Sequence, residues 1–393
     1  MSFSEWREVK LEDIIEIEMG QSPKSEFYNQ TGEGLPFLQG NRTFGDKYPY
    51  FDTYCTENKK IANKNDVIMS VRAPVGDLNI AQTQISLGRG VCAMRLKGEQ
   101  NSNYLFYLMK HNIKEMINRE SGTVFGSVNK KDILGLDVKI TNNKLEQKAI
   151  AHILSTLDDK IEVNNQINKT LENMAQAIFK QWFVDFEFPN EDGEPYKSSG
   201  GEMVESELGL IPLGWKVHLL KDFVPVITGK KNANVATNSG KYKFFTCSQI
   251  ASKTDDYSFE GKAILVAGNG DFNVKFYNGK FEAYQRTYVL IPHKEDLSGF
   301  IYYMMDYNLE EIVTNARGSV ISYLTKGDLE DSKIAFPEKE NHIQYTVIFQ
   351  IINEFILNLN KENEKLSELR DTLLPKLMSG EIRVPLDSEG DVS

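Results

Sequence analysis

Apolar and polar positions alternate with helical spacing along one stretch, residues 144–188, that contains neither proline nor glycine. Apolar or small residues recur there at alternating steps of four and three, and two asparagines occupy intervening positions. The stripe consists of Ile150, Leu154, Leu157, Ile161, Asn164, Asn168, Leu171, Ala175, Ile178 and Trp182. Such a heptad pattern predicts one long helix that needs a partner along its length. At ~1.5 Å per residue the stripe spans about 50 Å.

The rest of the chain is an internal repeat with an offset close to 196 residues. A Trp-containing strand pattern opens each copy, at Trp6 and at Trp215. A buried-strand pattern follows at 66–72 and again at 262–268. In both copies a Gly-centred loop then precedes a Lys-x-Asp tripeptide, which ends at residue 132 in the first and at 328 in the second. A repeat of this length predicts two similar globular units.

Shifting the first helical stripe by 198 residues predicts a second one near the end of the chain. Its positions are Ile348, Ile352, Phe355, Leu359, Glu362, Leu366, Leu369, Leu373 and Lys376. If the two helices pair antiparallel, Asn164 meets Glu362 at the centre. That polar layer has two interpretations: it is buried and fixes the register, or the stripe locally faces solvent or another subunit.

These patterns predict an α+β fold with an internal pseudo-two-fold repeat. Two similar globular α/β units are joined by two long antiparallel, coiled-coil helices. The expected segments are a first unit at 1–142, a central helix at 143–188, a Pro/Gly/Ser-rich linker at 189–206, a second unit at 207–340, a C-terminal helix at 341–380 and a mobile acidic tail at 381–393.

Composition narrows the class of protein only slightly. The net charge of −11 lies mainly in the helical segments and the tail, because residues 1–140 carry 18 basic and 18 acidic side chains. A neutral unit can still present a basic face to DNA. The three cysteines are scattered, no zinc-ligand spacing occurs, and neither a signal peptide nor a membrane span is apparent, so a cytoplasmic location is expected.

Catalytic signatures are missing from the sequence. It contains no GxxxxGK[ST], GxGxxG, HExxH, GxSxG or [ND]PP[YF] motif. Asp137 and Lys139 have the D-x-K spacing of a metal-dependent nuclease, but a solvated strand edge explains them more simply. The aromatic end of the central helix, residues 179–188, is either core beneath a globular unit or a docking surface for another subunit.

The loops of both units carry polar, planar and basic side chains beside glycines. Arginine bonds guanine bidentately, asparagine and glutamine bond adenine, and serine or lysine binds phosphates. Taken singly, a loop of this kind is more often a surface turn than a base contact. Similar loops at matching places in both units make DNA binding an equal alternative. The candidates in the first unit are Gln39, Asn41, Arg42, Ser70, Arg72, Arg89, Thr123 and Ser127. Those in the second unit are Lys230, Lys231, Ser248, Gln249, Asn269, Gln285, Arg286, Arg317 and Ser319.

Several segments resemble the specificity subunits of type I restriction–modification systems. The resemblance rests on LEQKAIA at 145–151, LDDKIE at 157–162, NNQIN at 164–168 and MAQAIFKQWFVDF at 174–186. In the second copy LSELRDTLLPKLMSGEI at 366–382 is similar, as are VRAPVG at 71–76 and SGTV at 121–124 in the first globular unit. The resemblance covers essentially the whole chain.

That resemblance implies a non-catalytic, DNA-binding subunit. Each globular unit would be a target-recognition domain for one half of a bipartite, asymmetric site in double-stranded DNA. The helices would set the spacing and dock two adenine-methyltransferase subunits, with restriction subunits joining them. S-adenosylmethionine, ATP and Mg²⁺ would then bind to the partners and not to this chain. The DNA sequence and the spacer length are left open.

Overall fold

A computed structural model describes residues 6–98, 101–118, 126–237, 239–314, 322–338 and 342–384. The chain divides into two compact units. Unit 1 comprises residues 1–165 and 362–393, and unit 2 comprises residues 166–361. The sequence-based division kept each long helix apart from the globular units, whereas each structural unit contains part of both helices.

Unit 1 combines short strands with helices packed on them. Its elements are β1 (Trp6–Lys10), α1 (Leu11–Ile14), β2 (Ile15–Met19), β3 (Tyr28–Asn29), β4 (Leu35–Leu38), β5 (Tyr54–Cys55), β6 (Ile61–Ala62), β7 (Val67–Ser70), β8 (Leu78–Ile80), β9 (Ile85–Leu87), β10 (Val91–Leu96), α2 (Ser102–Asn118), α3 (Lys130–Leu134), β11 (Asp137–Thr141) and the first part of α4 (Lys144–Phe179). The sheets run β2-β10-β7-β8, β3-β5-β4-β9-β6 and β1-β11. Helix α2 buries Tyr104–Met109 in the main core of this unit.

Unit 2 repeats this plan with longer strands. After α4 come β12 (Met203–Ser206), β13 (Gly209–Pro212), β14 (Trp215–Leu219), β15 (Val226–Thr228), β16 (Tyr242–Phe245), β17 (Ser252–Thr254), β18 (Phe259–Ala267), β19 (Val274–Ala283), β20 (Thr287–Leu290), α5 (Ser298–Thr314), α6 (Lys326–Glu330), β21 (Lys333–Pro337) and α7 (Ile343–Met378). The main sheet runs β15-β20-β18-β19-β16-β17. Among the described helices, none is both long and apolar enough to cross a membrane.

The predicted repeat is confirmed, although the opening strands β1 and β14 begin 209 residues apart and only the later elements keep the offset of 196. Helices α2 and α5, helices α3 and α6, and strands β11 and β21 each begin 196 residues apart. Even the local determinants are repeated. Asn129 and Asp132 form a capping box at the start of α3, and Thr325 and Asp328 form the same box at α6. The Lys-x-Asp tripeptides seen in the sequence are therefore helix starts, because the acidic residue bonds back to the cap.

The two long helices are offset by 199 residues and not by 198. Each helix is 36 residues long. Two residues connect β11 to α4, whereas five residues connect β21 to α7, so α7 begins three residues later after its strand than α4 does. Much of the buried stripe of α7 therefore lies one position beyond the predicted one, although the predicted Ile352 and Leu359 are themselves buried. It includes Phe349, Ile352, Asn353, Leu359, Leu374, Leu377 and Met378. The assignment of Phe355 and Leu369 to this stripe was wrong, since they are 50% and 48% exposed.

The predicted stripe of α4 fits the structure better. Ile150, Leu154, Ile161 and Asn164 are buried, whereas Leu157, Leu171 and Ile178 are half-buried. On α7, Glu362, Leu366 and Leu373 are also half-buried.

Within each unit the helix segments pair antiparallel. In unit 1, Asp158 pairs with Arg370 and Asn164 with Asn363, and in unit 2, Asn168 pairs with Asn360.

The predicted meeting of Asn164 and Glu362 is confirmed. The Asn164 Nδ2 atom donates to Glu362 Oε2 at 2.9 Å and to Asn363 Oδ1 at 2.8 Å. Asn164 is fully buried, and its own side-chain oxygen has no partner among the described residues. The buried interpretation of this polar layer therefore holds for Asn164, whereas the side chain of Glu362 is 44% exposed.

Three other expectations change. Residues 189–206 are a folded segment and not a loose linker, since Tyr196 stacks on Phe188 and β12 forms a hairpin with β13. The start of the predicted mobile tail is held in place, because Arg383 forms an ion pair with buried Glu146. Residues 385–393 of that tail lie outside the described residues.

The aromatic end of α4 is core: Phe179, Phe183, Phe186 and Phe188 are buried in unit 2, so a docking surface made of them is excluded.

Candidate nucleic-acid interface

A tight turn between β9 and β10 organises one end of unit 1. It runs from Gly88 to Val91, and the Val91 amide donates to the Gly88 carbonyl at 3.3 Å. The other three amides are held by neighbouring loops. The Gly88 amide donates to Leu38 O at 2.8 Å and the Gly90 amide to Gln39 O at 3.0 Å, while the Arg89 amide donates to Ser22 Oγ at 3.1 Å. The side chain of Arg89 is left exposed on this fixed backbone.

Unit 2 has the same turn between β19 and β20. It runs from Tyr284 to Thr287, closed by a 2.8 Å bond from the Thr287 amide to the Tyr284 carbonyl. The Tyr284 amide donates to Phe245 O at 2.9 Å, and the Gln285 amide donates to Lys231 O at 2.9 Å. Gln285 and Arg286 are its two exposed central residues.

A second loop meets each turn from the opposite side. In unit 1 the Val71 amide donates to Gly90 O at 2.9 Å, and in unit 2 the Gly268 amide donates to Arg286 O at 2.8 Å. The following residues form isolated β-bridges, Arg72 with Ser127 and Asn269 with Tyr323. The sequence repeat therefore extends to the hydrogen bonds of these loops.

Two glycines allow this close packing. A Cβ atom at Gly20 would lie 2.0 Å from the Gly88 carbonyl oxygen, and one at Gly229 would lie 2.2 Å from the Ala283 carbonyl oxygen. Both distances are far below van der Waals contact, so a larger residue would displace the turn. The glycines that the sequence marks near the start of each unit are thus required by backbone contact.

Four of the predicted residues of unit 1 converge at the Gly88–Val91 turn. Arg89 lies on the turn, and Gln39 lies on the loop beside it. Arg72 and Ser127 form the isolated β-bridge that follows Val71. All four are exposed.

The remaining predicted residues of unit 1 have structural partners or lie elsewhere. Ser70 is fully buried; its hydroxyl donates to Pro74 O at 2.8 Å and accepts from the Asp77 amide at 2.9 Å, so its assignment as a surface contact was wrong. The Asn41 amide donates to Asp77. Arg42 forms a bidentate pair with Asp52, whose pKa this hydrogen bond lowers. Thr123 lies outside the described residues.

In unit 2 the predicted residues again cluster around the turn, with one exception. Gln285 and Arg286 line a cavity of about 350 Å³ together with Thr228, Gly268, Tyr288 and Leu324. Lys230, Lys231, Ser248 and Asn269 lie on the loops next to the turn, and Asn269 Oδ1 lies 3.0 Å from Cys247 Sγ. Gln249 instead lines a separate cavity of about 420 Å³ beside α7. Arg317 and Ser319 lie outside the described residues.

The arginines separate into two groups by their partners. Arg42, Arg95, Arg370 and Arg383 each pair with a carboxylate. Arg7, Arg72, Arg89 and Arg286 form no ion pair with any residue in the described ranges. Three of these four arginines lie at the turn end of their unit. A guanidinium group without a carboxylate partner is free to bind a base or a phosphate.

Sequence reasoning missed some residues of this interface. Ser22 fixes the Arg89 amide, and Cys247 contacts both Asn269 and the Arg286 carbonyl. Tyr323 is the bridge partner of Asn269. Aligning Tyr323 with Ser127 at the 196-residue offset would have found it, whereas Ser22 and Cys247 have no sequence signal of their own.

The D-x-K pair has structural partners. Asp137 Oδ1 accepts from Lys10 Nζ at 3.1 Å across β1 and β11, and Lys139 Nζ donates to Ser379 O at 2.8 Å. In the parts of the chain that the structure describes, no three His, Cys, Asp or Glu side chains are grouped to hold a metal ion.

Known proteins agree with this organisation. The family model "Type I restriction modification DNA specificity domain" matches residues 3–173 and again 212–370. The chain belongs to this type I specificity family. The family model matches twice, once in each copy of the repeat.

Individual relatives support the same assignment. The chain is 35% identical over 181 residues to the type I restriction enzyme EcoDI specificity subunit of Escherichia coli, a match that covers 44% of this chain and 40% of that subunit. It is 26% identical to the MjaIX specificity subunit of Methanocaldococcus jannaschii, covering 97% of this chain and 94% of the relative. The crystal structure of a type I S subunit from M. genitalium superposes with a TM-score of 0.60 at 16% identity, over 95% of this chain and 96% of that one, which shows a shared fold.

Proposed function

We propose that each unit recognises one half of a bipartite, asymmetric site in double-stranded DNA. One observation carries this proposal: the two units present the same anchored turn at equivalent positions, with exposed side chains of types that can bond bases. The turns differ in sequence, with Arg89-Gly90 in one and Gln285-Arg286 in the other. Equal scaffolds with unequal side chains suit two different half-sites.

The long helices would set the distance between the half-sites and dock the partner subunits. A helix of 36 residues spans about 54 Å at ~1.5 Å per residue, which exceeds one turn of B-DNA at about 34–36 Å. Two adenine-methyltransferase subunits would dock on the helices, and restriction subunits would complete the nuclease. The exposed apolar side chains of α7, such as Ile351 and Phe355, are available for such contacts.

Catalysis would belong to the partners. S-adenosylmethionine would bind the methyltransferase subunits, and ATP and Mg²⁺ would serve the restriction subunits, while this chain selects the DNA in the cytoplasm. The rival hypothesis is a self-contained nuclease that uses Asp137 and Lys139. The Lys10 and Ser379 contacts of these side chains favour a structural role on a strand edge.

Footprinting tests the proposal. The chain in complex with its methyltransferase subunit should protect two short half-sites separated by a spacer of free sequence. Protection of one continuous site would refute the two-unit model. The chain alone, incubated with Mg²⁺ and plasmid, should leave the DNA intact; cleavage that Asp137→Ala abolishes would establish the rival.

A further inference from the structure

The two turns place an unpaired arginine at different positions. The residues at 88–91 correspond to those at 284–287 by their hydrogen bonds to the surrounding loops. Arg89 is the second residue of its turn and corresponds to Gln285, whereas Arg286 is the third and corresponds to Gly90. The two turns have the same backbone conformation, but each one carries its arginine side chain at a different position.

The backbone beneath each arginine is fixed. In unit 1 the Arg89 amide is bound to Ser22 Oγ, and the next carbonyl accepts from Val71. In unit 2 the Arg286 carbonyl accepts from the Gly268 amide at 2.8 Å and lies 3.5 Å from Cys247 Sγ. A fixed backbone lowers the entropy lost when a long side chain makes a directed contact.

The guanidinium groups themselves are uncommitted. Within the described ranges neither Arg89 nor Arg286 forms an ion pair, although four other arginines do. Arg286 also lines the concave surface of about 350 Å³ that Thr228, Gln285 and Tyr288 share. A planar fork of donors held at such a surface fits the O6 and N7 acceptors of guanine in the major groove.

We propose that Arg89 and Arg286 each read one guanine, Arg89 in the half-site of unit 1 and Arg286 in the half-site of unit 2. The inference rests on the proposed DNA-reading function and adds to it the base and the residue. The position of the arginine in the turn, second or third, selects which base step of the half-site carries the guanine. Gln285 at the Arg89 position shows that the turn accepts a side chain that bonds adenine instead.

The test begins with the wild-type complex. The chain is produced in cells together with its methyltransferase subunit, and methylated adenines are sequenced across the genome to give the recognition motif. The purified complex is then measured by competition binding on duplexes in which each base pair of the motif is replaced in turn.

Three matched variants follow: Arg286→Gln, Arg89→Gln and, as a control, Arg7→Gln. Arg7 is also exposed and without an ion pair in the described ranges, but it lies on β1 and not at the turn. Arg286→Gln should lower the preference for guanine at one position of one half-site by about 5- to 150-fold and move it towards adenine. Arg89→Gln should do the same in the other half-site, and Arg7→Gln should leave both motifs unchanged.

The outcomes separate the two levels of the proposal. A wild-type footprint without two half-sites would overturn the proposed function and this inference together. A bipartite motif in which Arg286→Gln and Arg89→Gln leave base preference unchanged would overturn this inference alone. So would uniformly weaker binding at every base with a salt slope reduced by about one, which is the behaviour of a phosphate contact. Melting curves check folding, and Arg→Ala at the same positions replaces any glutamine variant that melts early.

Discussion

A buried charge network joins the two helices to the core of unit 1 and allows a sharp stability test. Asp158 is buried and accepts from Arg370 Nη1 at 2.6 Å and from the Tyr107 hydroxyl at 2.6 Å. Arg370 is 14% exposed and has a second carboxylate partner, Asp371, at 2.8 Å. Asp158 and Arg370 therefore differ in the number of oppositely charged partners that each one has. Asp158 has one cationic partner at hydrogen-bonding distance, whereas Arg370 has two anionic partners.

The perturbation is Arg370→Met, which keeps an unbranched apolar stem and removes the charged guanidinium group. Breaking a buried pair by removing one partner costs about 3–5 kcal/mol, because the other charge is left without compensation. Lys110 lies near enough to Asp158 to interact with it, although burial lowers the pKa of this lysine. Its charge offsets part of the loss, so we expect a cost of about 3 kcal/mol. At about 2–4 °C per kcal/mol for a unit of this size, the melting temperature should fall by about 6–12 °C.

Thermal and urea unfolding of the isolated chain, followed by circular dichroism, measure this change. Asp158→Asn is the matched control: it loses one charge-assisted hydrogen bond, worth about 1.5–3 kcal/mol, and Arg370 keeps Asp371. It should therefore cost less than Arg370→Met. The triple variant Tyr107→Phe, Asp158→Leu, Arg370→Met should recover most of the stability, since apolar packing replaces the network.

Two results would refute this reasoning. A cost below about 1 kcal/mol for Arg370→Met would show that Asp158 is solvated in the folded state. A larger cost for Asp158→Asn than for Arg370→Met would reverse the asymmetry and exclude Asp371 as a compensating partner.

Three further predictions follow from single features. Changing Asn164 and Asn363 together to leucine removes a buried amide oxygen without a described partner and should raise the free energy of unfolding by about 1–3 kcal/mol, and an unchanged urea midpoint would count against it. Burial, and secondly the nearby Asp306 carboxyl group, raises the pKa of Glu172, so the folded state favours its neutral form and loses stability as pH rises from about 4.3 towards the folded-state pKa. Glu172→Gln should therefore leave the melting temperature unchanged at pH 3 and raise it at pH 7. Equal shifts at both pH values would disprove the raised pKa of Glu172. Gly229→Ala places a Cβ atom 2.2 Å from a carbonyl oxygen and should cost about 1–3 kcal/mol while weakening DNA binding, and a variant with normal melting and affinity would show that the turn is free to move.

The repeat, the element types and the two long helices could be predicted from local sequence. Capping residues such as Asp132 and Asp328 act within one helical turn, so the sequence specifies them directly. The spacing of apolar residues on α4 likewise predicted its buried side. These signals depend on neighbours in the chain, and they recur at fixed offsets because the two units share one fold.

The buried side of α7 was decided by tertiary structure. This helix carries adjacent apolar pairs, for example Ile351 with Ile352 and Phe355 with Ile356, so two stripes one residue apart are both possible from sequence. Three extra residues before the helix shift it by one position against the predicted register. Phe349, one position beyond the predicted Ile348, is consequently buried, while the predicted Phe355 is half exposed.

The candidate interface divides in the same way. Residue type and a nearby glycine selected Arg42, Ser70, Arg89 and Arg286 equally well from the sequence. Only the fold shows that Arg42 is paired with Asp52 and that Ser70 is buried, while Arg89 and Arg286 stay free on matching turns. The sequence by itself determined the repeat and the kinds of side chain available for binding DNA. Tertiary structure decided which of them are free to do so, because that depends on partners brought together by folding.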